Sequence, residues 1–352
     1  GDITLTADTV ALSGPEATIS NEVDGEASGN AGKVEIDSRI LTVRDGSRIA
    51  GRTFGRGRGG TLVINGTELI EVAGTDGKGS SSSLSTETLG LADAGNLVVN
   101  AGDLLILNGG QVASSSLGVE EGVGGELTIN ATGTVKVSGF SSEDRLVSTI
   151  SASSGSSSNL IFPGSVGNGG SLSINAENLI ISDSASVSTE SFGRGLNPNF
   201  PGQAGNAGNL SVNVSGRLDV SNDSGLEAST YGNGDAGNLT IRAGELFVRN
   251  NSEISSSTNG NLEDNFTAEG SAGNIEVTVA GLTELSGVGG LGTGSTFGGD
   301  AGNVNLTTGS LVVQNGAGIR ASAFGRGKTG GIRIQSTDSI VVTGGRFVSS
   351  SD

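Results

Sequence analysis

A glycine, any residue, and then two aliphatic residues spaced two apart recur eleven times along the chain, opening at Gly1, Gly32, Gly60, Gly95, Gly125, Gly170, Gly208, Gly237, Gly273, Gly302 and Gly330. The interval ranges from 28 residues (Gly32 to Gly60) to 45 (Gly125 to Gly170). The paired positions, from Ile3/Leu5 and Val34/Ile36 through Leu97/Val99 and Leu239/Ile241 to Ile332/Ile334, are all Val, Ile or Leu. A spacing of two puts both side chains on one face of a strand. Five or six residues later a second pair follows, such as Val10/Leu12, Leu41/Val43, Leu104/Ile106 and Leu311/Val313, with Thr283 as the one departure. A weaker third site comes after most of these, at Ile19, Ile49, Val112, Val187, Leu226, Ile254 and Ile319. Each unit therefore predicts three short strands with one apolar face apiece.

A unit of this size cannot bury three narrow apolar stripes alone, but stacked copies join them into one interior. The pattern predicts an all-β parallel β-helix of about eleven three-stranded coils, one solenoid over residues 1–352. At the usual inter-strand spacing it would form a rod of roughly 50 Å. Units alternate: even ones start the second pair five residues after the end of the first and odd ones six, apart from the first unit, which has five. Even units follow the second pair with Asp or Asn, as at Asp45, Asn108, Asp183, Asn250 and Asn315; most odd units place a glycine there, and the seventh has Asn222.

Composition narrows the function classes. Lys and Arg number 19 against 37 Asp and Glu, for a net charge of −18 with no His. Clustered positive charge is what holds a phosphate backbone, so a nucleic-acid role is excluded. Without Cys, Met, Trp or His, the chain has no disulfide, no thiolate or imidazole metal site and no Cys- or His-based catalysis. No apolar run approaches a membrane span. The lack of Met, and the opening at Gly1 in mid-pattern, lead us to expect an internal segment of a longer repeat protein.

The even-unit text LTVRDGSRIAGRTFGRGRGG (Leu41 to Gly60) is echoed by LIISDSASVSTESFGRG (Leu179 to Gly195) and LVVQNGAGIRASAFGRG (Leu311 to Gly327). With GNAGN, GDAGN and SAGN ahead of the first strand, it resembles the repeat region of filamentous-haemagglutinin-type exoproteins, particularly cyanobacterial ones, over essentially the whole chain. The resemblance implies a right-handed β-helical shaft, two-partner secretion through an outer-membrane transporter, and an adhesive role at the extracellular cell surface. The alternatives are a carbohydrate-active β-helix enzyme acting on acidic polysaccharide, and a subunit that self-associates end to end into a filament.

Candidate sites follow from chemistry that repeats. The column Asp45, Asn108, Asp183, Asn222, Asn250 and Asn315 offers oxygen donors suited to calcium, but these residue types also tolerate left-handed backbone and cap turns, so a structural turn is the expectation and no metal or cofactor is assigned. Catalysis would need carboxylates converging on one face, whereas Glu120–Glu121, Glu143–Asp144 and Glu263–Asp264 fall in loop inserts. The inserts after the third strand carry Phe162, Phe200 and Phe266, candidate contacts for extracellular polysaccharide. The rings at Phe54, Phe192, Tyr231, Phe297 and Phe324 are expected to cover the corner before the next unit.

Overall fold

A computed structural model describes residues 1–25, 27, 29–90, 92–117, 122–155, 167–192, 205–259, 269–296 and 298–351. Among them no residue is helical, and the strands form two long sheets of 16 and 13 members in which the paired strands run parallel. The chain is all-β, and its strands pass from one sheet to the other as a parallel β-helix requires.

The register follows the aliphatic pattern residue by residue. In the larger sheet Ile3 pairs with Val34 and the ladder continues through Leu62, Leu97, Leu127, Leu172, Leu210, Leu239, Ile275, Val304 and Ile332. The second pairs stack likewise, from Val10 and Leu41 to Leu311 and Ile340. The smaller sheet stacks Ile19, Ile49, Leu84, Val112, Ile150, Val187, Leu226, Ile254, Leu291, Ile319 and Phe347. Leu84, Ile150, Leu291 and Phe347 thus belong to the third stripe although the pattern alone did not single them out. The three stripes merge into one core whose aliphatics are almost wholly buried. Thr283 is fully buried, and its hydroxyl meets that of Thr308 at 2.9 Å while Thr308 donates to the Gly281 carbonyl, so this polar member of the stripe is satisfied.

Three separate strands per unit is too many in six units. In Ile3–Ser13, Lys33–Arg44, Thr61–Ala73, Leu97–Leu107, Val304–Gln314 and Ile332–Thr343 the first two expected strands are continuous. Elsewhere they are broken, by Gly133 between Leu127–Ala131 and Thr134–Ser138 and by Glu177 between Leu172–Ala176 and Asn178–Ser182. The alternation between offsets of five and six residues is absorbed by bulges, seen as register shifts between Ser38 and Ile40, Gly66 and Leu69, and Thr308 and Ser310. The first two units, both with five, pair without a shift.

Close approach of backbone explains the opening glycine. A methyl group on Gly95, Gly208, Gly237, Gly302 or Gly330 would fall inside the van der Waals surface of the carbonyl oxygen of the opening glycine one unit earlier. Three residues before, Gly234, Gly270, Gly299 and Gly327 form a second such column. The opening carbonyls receive buried hydroxyls: Thr86 and Ser114 donate to Gly95 O (2.8 and 2.7 Å), Thr189 to Gly208 O (2.6 Å), Ser256 to Gly237 O and Thr293 to Gly302 O (both 2.7 Å). The Asx residues of the GNAGN-type text have a parallel task. Oδ1 of Asn209, Asn238, Asn274 and Asn303 accepts the backbone N–H of Asn238, Asn274, Asn303 and Gly331 in turn, at 2.8 to 3.0 Å. Oδ1 of Asn168, Asn206, Asp235 and Asp300 does the same for Asn206, Asp235, Ser271 and Lys328. At this corner the Asx oxygens accept N–H groups that lie beside others bonded to backbone carbonyls, such as Ala207 to Asp235 and Leu239 to Asn274.

Gly208→Ala should therefore cost on the order of 3 kcal/mol by forcing stacked units apart. Gly29→Ala, where a methyl meets open space, should stay within about 0.5 kcal/mol of the parent. Chemical denaturation of the two variants checks this; equal stabilities would show that the stack yields freely.

Candidate functional site

Asp45, Asn108, Asp183, Asn222, Asn250 and Asn315 all lie in the left-handed region, at φ between 53° and 60°. In odd units a glycine takes this conformation, at Gly14, Gly74, Gly139, Gly287 and Gly344. The turn directs backbone N–H groups inward, where buried serines receive them: Gly46 N–H donates to Ser82 Oγ (2.9 Å) and Gly109 N–H to Ser148 Oγ (3.1 Å), and each serine donates onward to a carbonyl at 2.8 Å. The side-chain oxygens of Asp45, Asp183 and Asn222 have partners as well. Ser13 Oγ donates to Asp45 (2.6 Å), Ser138 and Ser182 donate to Asp183, and amide bonds of 2.9 Å link Asn250 to Asn222 and Asn222 to Asp183. These donors hold the Asp183 carboxyl below its ordinary range, Asn222 contributing most. Among the described residues no three acidic side chains converge to hold an ion.

Phe162, Phe200 and Phe266 lie outside the described residues, as do Glu120–Glu121, Glu263–Asp264 and Phe297. Glu143 and Asp144 occupy a short loop following Gly139. The corner rings behave differently from the expectation: Phe54 and Phe324 are exposed, Arg52 lying 5.0 Å over the former. Phe192 instead stacks on Tyr231 of the next unit, with ring centres 5.1 Å apart and planes within 9°.

Two constellations were not anticipated from the sequence. The first is a concave groove of about 730 Å³ on the outside of the bend between the first two stripes. Its floor is Ala101, Ala131 and Ala176, and its rim includes Thr132, Glu177 and Ser215. One wall is a lane of amides: Asn65, Asn100, Asn130, Asn175 and Asn213 occupy the same register position in successive units. Four of the amide nitrogens donate to the preceding side chain, Asn175 to Asn130 (3.1 Å), Asn130 to Asn100 (3.0 Å), Asn100 to Asn65 (2.8 Å) and Asn65 to Asp37 (2.7 Å). The signal was present in the text as an Asn directly after the first aliphatic pair, in LVVNA, LTINA and LSINA.

The second constellation is a diagonal of carboxylates on the outer face of the smaller sheet. Glu227 leans over Gly225 and Glu253 over Gly292, glycines whose missing side chains make the room. Burial pushes Glu190 up to about 8, with the Glu227 charge adding to it; burial also raises Glu227 and Glu253, while Arg320 works against the rise at Glu253. Ser188 Oγ donates to Glu190 at 2.9 Å. The arrangement holds a proton near neutrality, with the Ser188 hydroxyl and the Glu227 carboxyl beside Glu190.

No family model matches the chain, no curated protein matches it, and no solved structure matches it.

Glu190 ionises at its ordinary value of 4.5 when unfolded and at about 8 when folded, so across that window only the folded form keeps the proton. Folding is therefore most favoured at the acid end and weakens as pH rises toward 8. Thermal melts should show a higher Tm at pH 5.5 than at pH 8.5, with the slope reduced in Glu190→Gln; an identical slope in that variant would remove Glu190 as the cause. The turn column makes a separate prediction: because hydrogen bonds occupy the oxygens of Asp45, Asp183 and Asn222, and no three acidic side chains converge among the described residues, excess EDTA should leave Tm within a degree or two. A larger drop, restored by calcium, would establish an ion in the turns.

Proposed function

We propose that the chain is a right-handed parallel β-helix of eleven coils, serving as a non-catalytic structural and adhesive shaft of a secreted cell-surface fibre. The observation that carries this reading is the unbroken register from Ile3 to Ile332 around one continuous core. A stack of this kind transmits length and stiffness, and its sides offer repeated surface. The handedness and the secretion route come from the resemblance of the Phe-Gly-Arg-Gly and GNAGN-type text to filamentous-haemagglutinin-type exoproteins. On that reading an outer-membrane transporter is the export partner, and a chain lacking Cys crosses without premature disulfides. Adhesion is to an extracellular polysaccharide or cell surface.

Protease shaving of intact producing cells, followed by mass spectrometry of the released peptides, tests the location. Peptides of this chain should appear in the released fraction before any cytosolic marker. Retention inside unbroken cells would overturn the reading. Incubation of the purified chain with polyuronates should release no reducing or unsaturated sugar, and steady release would replace the shaft with an enzyme.

A further inference from the structure

We infer that the amide-walled groove between the first two stripes is a binding site for a neutral, hydroxyl-rich polymer, a polysaccharide strand lying along the stacking axis. The inference rests on the adhesive reading above and gives it a site. Each amide carries two N–H donors and an oxygen with two lone pairs. The ladder spends one donor and one acceptor site on Asn100 and on Asn130, and one donor on Asn175, leaving Asn100 and Asn130 one N–H and one lone pair each, and Asn175 one N–H and its oxygen, for an occupant of the groove. A sugar hydroxyl donates once and accepts as well, so it matches that remainder.

Spacing favours the same class. Successive rungs are separated by the inter-strand distance of ~4.8 Å, whereas an extended peptide along the axis would present its groups every ~3.3 Å and drift out of step. A pyranose ring with its glycosidic oxygen spans about one rung. The alanine floor, formed by Ala101, Ala131 and Ala176, is apolar and shallow enough to take the C–H face of a ring. Charge sets the remaining preference. Glu177 is on the rim, Asp37 ends the ladder, and the whole chain carries −18, so a polyanion is repelled and a neutral polymer is not. Arg242 continues the lane past Asn213 and gives the groove distinct ends.

The test uses the full chain and a panel of soluble neutral polysaccharides, a β-glucan, a mannan and a galactan, beside a polyuronate, in a direct binding assay. Ala176→Leu raises the floor without touching the ladder, and Thr132→Trp obstructs the exposed rim should the first variant fold poorly. At least one neutral polymer should bind more tightly than the polyuronate, and each folded variant should weaken that binding tenfold or more with its Tm retained. Wild-type binding that both variants keep would remove the groove and leave the adhesive shaft standing elsewhere on its surface. A wild type that binds no neutral polymer, or prefers the polyuronate, would overturn the groove, while the location of the fibre is decided separately by the shaving experiment.

Discussion

Successive units approach until the backbone of one opening glycine rests on the carbonyl of the glycine before it, and the rest of the structure conforms to that contact. The column leaves no room for a Cβ at Gly208, Gly237, Gly302 or Gly330. Its geometric consequence is that each unit returns to the same lateral position, so the aliphatic pairs just downstream meet their counterparts one strand spacing away. A slip of one residue would turn both members of each pair to the outer face. The glycines hold the corner, and the stripes supply the apolar burial that makes holding it favourable.

Such a corner is expensive in polar groups, since backbone carbonyls one unit away take only some of its N–H groups, among them those of Ala207, Leu210, Ala236 and Leu239. The chain answers with short side chains placed to match. Hydroxyls of Thr86, Ser114, Thr189, Ser256 and Thr293 cap the glycine carbonyls from inside. Asx oxygens accept the N–H groups one unit onward from outside. The low aromatic content and the abundance of Ser, Asn and Gly thus belong to a narrow interior, where small hydrogen-bonding residues share the space with aliphatics.

Much of this was legible because a strict period magnifies weak local signals. The first two stripes could be numbered from the text, and the paired residues observed are those residues. The third stripe was read incompletely at Leu84, Ile150 and Leu291, where Ser, Thr or Gly flank a lone aliphatic and erase the alternation. Strand continuity was also hidden, because the bend between the first two stripes takes either a bulge or a break and both leave the same spacing of aliphatics. The amide lane and the Glu190 diagonal depend on neighbours one unit away, about thirty residues distant in the chain, so a local window around either shows only a polar residue on an outward face.

The spread of unit lengths has its own physical logic. Unit five is the longest, yet Leu127 pairs with Leu172 and Ile150 with Val187 without a register shift. The additional residues fall mainly in two loops, one between the second and third strands around Glu143 and one between the third strand and the next glycine corner, and lengthening a closed loop adds entropy cost only logarithmically. A change inside a stripe would instead move a buried face outward. The same division separates the amide lane from the variable segments: it sits on the bend whose length changes by one residue at most, so its rungs keep their spacing through units that differ widely in total length. A groove that must match a regular polymer is sustained by that constancy, whereas the inserts are free to vary from one unit to the next.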